Sequence, residues 1–289
     1  MTSFQRSYHL NQLGSHETAR FFGVPGAHAL ECLAARFRRH AYTPHTHDSF
    51  VIGTIVAGSE SCGIGGKRFY AKPGDLFLIQ PGVVHDGEPA GDGYAYRISY
   101  PSVELLADAA ADALGRAPAG TPSFAEPIVA DPELADRFIT FHRLAETAGD
   151  GLHVDELLLE FLVRALGRHA GVAGVGEGGN RVETGPVARA LDFLDANFAE
   201  PVDLATLADV AAIPRTRLIR AMRRETGLTP HAWLTDRRIR AARRLLRGGE
   251  TPAEVAVACG FYDQSHLNRA FKARVGVSPG AFRDALRRS

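Results

Sequence analysis

Between residues 41 and 100 the apolar positions fall in short runs. Phe50-Val51-Ile52-Gly53-Thr54-Ile55-Val56, Lys67-Arg68-Phe69-Tyr70, Asp75-Leu76-Phe77-Leu78-Ile79 and Tyr94-Ala95-Tyr96-Arg97-Ile98-Ser99-Tyr100 are rich in β-branched or aromatic residues. Glycine and proline separate them, at Gly58, Gly65-Gly66, Pro73-Gly74, Pro81-Gly82 and Gly91-Asp92-Gly93. Many short strands punctuated in this way predict a small β-barrel or jelly roll. The period then changes. Leu134, Phe138, Phe141 and Leu144, followed by Leu157, Leu158, Phe161, Leu162 and Leu166, recur at helical spacing and predict helices over 132–147 and 153–169. Gly171-Val172-Ala173-Gly174-Val175-Gly176-Glu177-Gly178-Gly179-Asn180 cannot hold regular structure cheaply, so 171–185 reads as a flexible linker. Everything beyond Pro186 has helical spacing, with stops near Pro201, Gly227, Gly248-Gly249, Gly260 and Gly276.

That last region contains a duplication about 48 residues apart, Asp203 to Thr226 and Pro252 to Val275. Asp203 is an N-cap for a short helix through Leu204, Leu207, Ala208 and Ala211. After a break at Ile213-Pro214, a second helix runs from Arg215 to Glu225. In the other copy Thr251 caps a helix with Pro252 at its first position, the chain breaks at Gly260-Phe261, and Asp263 to Val275 follows. Two short helices with small alanines at their crossing predict a helix-turn-helix, twice. Each second helix has a core face, Leu218, Ala221 and Met222 or Leu267, Ala270, Phe271 and Val275. Each also has an outer face. Thr216, Arg217, Arg220, Arg223 and Arg224 lie on the first, Gln264, Ser265, Asn268, Arg269 and Lys272 on the second. Arg pairs with guanine and Gln or Asn with adenine in a major groove, whereas a plain solvated face does not call for amide and Arg side chains together. The intervening segment, Thr229 to Arg247, predicts a helix spanning about 25 Å, which suits two reading helices roughly one DNA turn (about 34 Å) apart.

Charge agrees with this division. The 289 residues balance to zero, yet 186–289 holds 18 Lys and Arg against 11 Asp and Glu, and the remainder carries the opposite excess. A basic C-terminal part beside an acidic N-terminal one points to nucleic acid as the partner of the former. Cys32, Cys62 and Cys259 make neither a disulfide framework nor a CxxC site, so a reducing cytoplasm is the expected compartment. No uncharged apolar stretch of about 18 residues occurs and the N-terminus lacks signal-peptide order, so neither membrane insertion nor secretion is expected.

Glu225-Thr226-Gly227-Leu228-Thr229-Pro230, the Arg237-Arg238…Ala241-Ala242…Leu245-Leu246 helix, Val255-Ala256…Cys259-Gly260-Phe261…Gln264-Ser265-His266-Leu267-Asn268-Arg269-Ala270-Phe271-Lys272 and Gly276-Val277-Ser278-Pro279 resemble the AraC/XylS family of transcription regulators. The resemblance covers about 100 residues and implies bipartite binding of double-stranded DNA through adjacent major grooves. By position, Thr216, Arg217 and Arg220 face one groove and Gln264, Ser265, Asn268 and Arg269 the other. Ile219 departs from the family's usual polar residue; it either meets a thymine methyl or packs inward. Met222 stands where Phe is common.

In the acidic part, His45-Thr46-His47 followed by His85, after Lys72-Pro73-Gly74-Asp75 and Pro81-Gly82, resembles the cupin pattern. Alternation on a strand places His45 and His47 on one face. Imidazoles suit zinc, iron or nickel, so His45, His47 and His85 are candidate ligands for a divalent transition metal as well as candidate effector contacts. A metal cupin usually adds a glutamate shortly after the paired histidines. Here only Asp48 stands near, at the wrong spacing, and sensor domains of this family often keep the histidines without a known metal.

The expected fold is therefore α+β. Residues 1–170 form a cupin-like effector-binding and dimerisation domain, with the barrel at about 20–100 and helices at about 131–170. Residues 171–185 link it to an all-α DNA-binding domain, 186–289, with two helix-turn-helix units. The helices at 131–170 either pair two copies or pack on their own barrel, and the family resemblance favours a homodimer. The expected function is a sequence-specific DNA-binding regulator, not an enzyme, that responds to a small-molecule effector. The alternative is a cupin-type metal enzyme fused to a DNA-binding module. On this reading the histidine pocket is remote from the DNA-binding part and reaches it only through the 131–170 helices and the linker.

Overall fold

The computed structural model describes residues 17–24, 30–114, 120–147, 151–170 and 185–287, so all of the predicted linker except Gly185 lies outside the described residues. Eight strands form one antiparallel sheet: β1 (Thr18–Val24), β2 (Leu30–Phe37), β3 (Tyr42–His45), β4 (Val51–Ile64), β5 (Lys67–Ala71), β6 (Asp75–Ile79), β7 (His85–Tyr100) and β8 (Ile128–Ala130). Their order is β1-β2-β7-β4-β6-β8, with β3 against β7 and β5 against β4. The long strands β4 and β7 each serve two sets of neighbours. Tyr94–Tyr100 pairs with β2, while His85 and Gly87 pair with β3. Register slips between Ile55/Ala57 and Gly58/Glu60 bend the pair and curl the sheet. Gly58 makes this possible: its φ is +72°, and a Cβ there would run into the Gly93 carbonyl.

Alternation places Phe21, Leu33, Phe77 and Ile79 on one face and Phe22, Cys32, Leu76 and Leu78 on the other, and all are buried. Burial on both sides accounts for the unbroken apolar run Leu76-Phe77-Leu78-Ile79. The second face is covered by α1 (Val103–Leu114), α2 (Pro132–Glu146) and α3 (Gly151–His169). Asp131 caps α2 by accepting from the Leu134 amide, and Arg168 and His169 at the end of α3 return to the same carboxylate. The apolar stripes of α2 and α3, including Phe138, Phe141, Phe161 and Leu162, are spent on the chain's own sheet. Packing on the same chain is thus the use these stripes find. The strands β1, β2 and β8 and the helix α1 were not marked by the sequence pattern.

Seven helices complete the described chain: α4 (Pro186–Ala196), α5 (Leu204–Ala211), α6 (Arg215–Thr226), α7 (Pro230–Arg247), α8 (Pro252–Ala258), α9 (Gln264–Val275) and α10 (Pro279–Leu286). Their cores divide. Val187, Leu194, Leu207, Leu218, Met222 and Leu234 form one cluster around α4–α6. Ile239, Leu246, Val255, Leu267, Phe271 and Phe282 instead join the first face of the sheet in a single continuous core. The ring of Phe282 lies 4.8 Å from that of Phe21 across this junction.

Candidate DNA-reading helices and sensor pocket

Each helix-turn-helix is built from local signals. Asp203 accepts from the amides of Ala205 and Thr206 to start α5, and Thr251 and Glu254 form a reciprocal capping box at α8. The helices α6 and α9 both have twelve residues and both end at a left-handed glycine, Gly227 and Gly276. In the second turn a Cβ on Gly260 would strike the Ala199 carbonyl, whereas the first turn holds Ala212 at φ +56°.

All eight predicted reading residues are exposed on these helices: Thr216, Arg217 and Arg220 on α6, and Gln264, Ser265, Asn268, Arg269 and Lys272 on α9. Matching the helices start to start equates Thr216 with Ser265, Ile219 with Asn268 and Arg220 with Arg269. It also equates Arg223 with Lys272 and Arg215 with Gln264; both arginines are exposed, and Arg215 is the one the sequence pattern did not single out. Arg217 matches His266, which is partly buried and meets the Phe261 ring edge-on. Ile219 is half-buried and Met222 fully buried in the Leu218 core.

His45, His47 and His85 do converge. One nitrogen from each lies within 4.8 Å of the others, and all three rings are buried. His45 ends β3 and His85 begins β7, paired directly across the ladder. His47 lies two residues past the end of β3, outside the strand the alternation argument put it on. Burial holds all three imidazoles below their ordinary pKa, so they are neutral near pH 7. They line a cavity of about 50 Å³ together with Tyr42, Tyr96, Tyr100 and Glu60. The Tyr42 and Tyr96 hydroxyls lie 2.6 Å apart. Burial pushes the Glu60 carboxyl up to about 8, which makes it a neutral acid in a predominantly aromatic pocket. Neither Glu60 nor the tyrosines carry a recognisable spacing, so the sequence pattern did not reveal them.

The expectation of a remote pocket is overturned. Arg274 of α9 is part of the cavity wall. Arg243 of α7 donates through Nη1 to His47 Nδ1 at 2.6 Å and through Nη2 to Glu31 at 2.6 Å. Arg247 bonds the same carboxylate. Beside them, Thr46 donates from its amide and hydroxyl to Asp236, and Asp48 receives Arg240 and Arg244. The Thr43 hydroxyl donates to the Ala273 carbonyl, and Tyr42 fits against Gly276 where a side chain would stand. Residues 42–48 are thus a strip with the histidine pocket on one side and the helical region on the other. Part of the positive excess read as a DNA signal is neutralised inside the chain, by Glu31 and Asp48.

Known proteins share both parts. A family model described as an AraC-like ligand binding domain matches residues 27–162, and one described as a helix-turn-helix domain matches 207–285. The uncharacterised HTH-type transcriptional regulator YbfI of Bacillus subtilis (strain 168) is 29% identical over 227 residues, covering 77% of this chain and 80% of that protein. The HTH-type transcriptional activator RhaS of Yersinia pestis (strain Pestoides F) is 34% identical over 105 residues, which span 36% of this chain and 38% of RhaS. In fold, an apo ToxT variant from Vibrio cholerae strain SCE256 is similar over 93% of this chain and 97% of its own, at 12% identity and a TM-score of 0.50.

Proposed function

The chain belongs to the AraC-type family of transcription regulators, with a ligand-binding domain and a helix-turn-helix DNA-binding domain, and from that premise we propose how its residues divide the work. Gln264, Ser265, Asn268 and Arg269 of α9 read base edges in one major groove, and Lys272 contacts phosphate. In the adjacent groove Thr216 and Arg220 of α6 read bases, Arg215 and Arg223 join them by helix register, and Arg217 flanks them. The effector is a small molecule held by His45, His47 and His85, with Glu60 and the tyrosine hydroxyls as further polar contacts. It is bound and released, not transformed. Two copies pair through the outer face of α3, where Leu159 is 40% exposed. DNA as the target and three free, buried cysteines suit a reducing cytoplasm.

The observation that carries this reading is the exposure of all eight predicted reading side chains on the second helices of two internally capped units. Among the described residues none of the eight makes a side-chain hydrogen bond or ion pair within the protein, so each is available to a partner. The test is DNA binding by the full chain across a salt series. Affinity should fall steeply with salt as Lys and Arg displace phosphate counterions, and a salt-independent affinity would remove the reading.

A further inference from the structure

The hydrogen bonds around the three histidines fix which ring nitrogen carries each proton. A carbonyl only accepts, so His45 holds its proton at Nδ1, donating to Thr43 O at 2.8 Å, and His85 does the same toward Val83 O at 2.9 Å. Both rings therefore carry an unprotonated Nε2, the form in which a neutral imidazole ligates a metal through Nε2. His47 is different. A guanidinium only donates, so the Arg243 bond leaves His47 Nδ1 without a proton and places it at Nε2. That Nε2–H then donates to His45 Nε2 at 3.1 Å. Two of the three histidines are set for a metal, and the third is held in the opposite tautomer by a residue of α7.

The cupin resemblance already makes His45, His47 and His85 the ligands of any divalent transition metal held here; we propose that such a metal, zinc for example, and Arg243 compete for His47. This rests on the reading of the pocket as the sensor site, and it names the class of ligand. Zinc–nitrogen bonds of about 2.0–2.1 Å place tetrahedral ligand atoms about 3.3 Å apart; His45 and His47 already stand 3.1 Å apart, and the three nitrogens, all within 4.8 Å of one another, would draw together on binding. For His47 to ligate through Nε2, its ring proton must leave that nitrogen and appear on Nδ1, with no net change in protonation. Nδ1–H would then face the Arg243 N–H, donor against donor, at a distance that now holds a hydrogen bond. Retaining both interactions would require an imidazolate. Ligation therefore displaces Arg243 from His47, and the helical region loses one of the bonds that hold it to residues 42–48. Because coupling is reciprocal, whatever holds Arg243 in place weakens the metal by the same factor.

The test uses the full chain and Zn²⁺ as the probe, with affinity read by competition against a chromophoric chelator and Co²⁺ absorption reporting coordination. Arg243→Met should bind Zn²⁺ at least tenfold more tightly than the unaltered protein, and His85→Ala at least tenfold less tightly. Circular dichroism checks that both variants are folded. Arg247→Met, which removes a neighbouring charge but no bond to His47, controls for simple charge repulsion and should change affinity far less than Arg243→Met. Saturating Zn²⁺ should raise amide exchange in 240–247 of the unaltered protein. Equal Zn²⁺ affinity with and without Arg243, an equal gain in Arg247→Met, or no histidine-dependent binding in any variant overturns the proposal. If Zn²⁺ fails while an organic effector still alters DNA binding through this pocket, the functional reading stands and only the metal falls. Loss of salt-dependent DNA binding in the metal-free protein would instead fault the functional reading itself.

Discussion

Arg243 and Glu31 stand 212 residues apart in the chain and 2.6 Å apart in the fold, both nearly buried. The same carboxylate takes Arg247, so one acidic residue of β2 anchors two turns of α7. Burial alone would raise the Glu31 pKa, and the two arginines overcome it and hold the carboxyl below its ordinary value. The group is thus depressed in the docked state. Its contribution is complete above the free carboxyl pKa of 4.5 and is lost as pH falls through the lower docked value.

Glu31→Gln should therefore loosen the helical region from the sheet. Removing one partner of a buried pair costs about 3–5 kcal/mol when the survivor stays buried. Should the two parts separate and return the arginines to water, the loss is capped at the docking free energy. Hydrogen exchange is expected to rise in 30–37 and 240–247 and hardly at all in α2 and α3. Uniform loss of protection would mean that docking is inseparable from folding.

Arg269→Ala and Gln264→Ala should relax preference at particular base pairs, by about 1–3 kcal/mol for each bidentate pairing removed. Lys272→Ala should weaken all sequences alike. On α6, Arg220→Ala should cost more discrimination than Arg217→Ala, because Arg220 matches Arg269 in helix register and Arg217 matches His266. Binding measured against a library of single-base variants decides, and a larger sequence-specific loss for Arg217→Ala would reverse the register.

The two turns should respond oppositely to glycine and alanine. Ala212 sits in the left-handed region, which costs an L-residue about 1–2 kcal/mol, so Ala212→Gly should be neutral or stabilising even after the added chain entropy. Gly260→Ala should be strongly destabilising because its Cβ meets the Ala199 backbone. Thermal unfolding of the two variants gives the signs directly, and a stable Gly260→Ala would show that this turn can shift.

Glu60 supplies a pH signature of the pocket. Its folded pKa, about 8, lies above the free value of 4.5. Its contribution is therefore complete below 4.5 and lost progressively as pH rises to about 8. Glu60→Gln should remove that loss, so the variant gains on the unaltered protein between about pH 5 and 8. The histidines act in the opposite sense: with depressed pKa values they keep stability above about 6.5 and lose it on acidification. Denaturant titrations at several pH values separate the two, and parallel profiles for variant and parent would place the Glu60 charge in solvent.

The DNA-binding part was legible because its signals are local. Asp203, Thr251 and Asp263 each cap a helix whose first amides lie two or three residues ahead, and Gly227 and Gly276 end helices at a conformation glycine takes freely. The strands of β4–β7 were legible for the same reason, through alternation and turn residues. In contrast, β1 and β2 gave no clear pattern, since Phe21 and Phe22 or Cys32 and Leu33 are buried on opposite faces and neither face is polar.

Sequence alone thus determined the helices of 186–287, the helices α2 and α3 and the strands β4–β7, which faces of α6 and α9 stay outside, and that three histidines belong together. Those follow from periods and caps within one or two turns of chain. Tertiary structure decided the rest. Nothing in the sequence singles out Arg243 or Arg247 on the helix between the two units, and only the fold shows Arg243 committed to Glu31 and His47 and Arg247 to Glu31. Glu60 carries no sequence signal, and only burial in the fold makes it a neutral acid. Such pairings join residues about 200 positions apart, and desolvation depends on everything packed around a group, so no local window of sequence contains either.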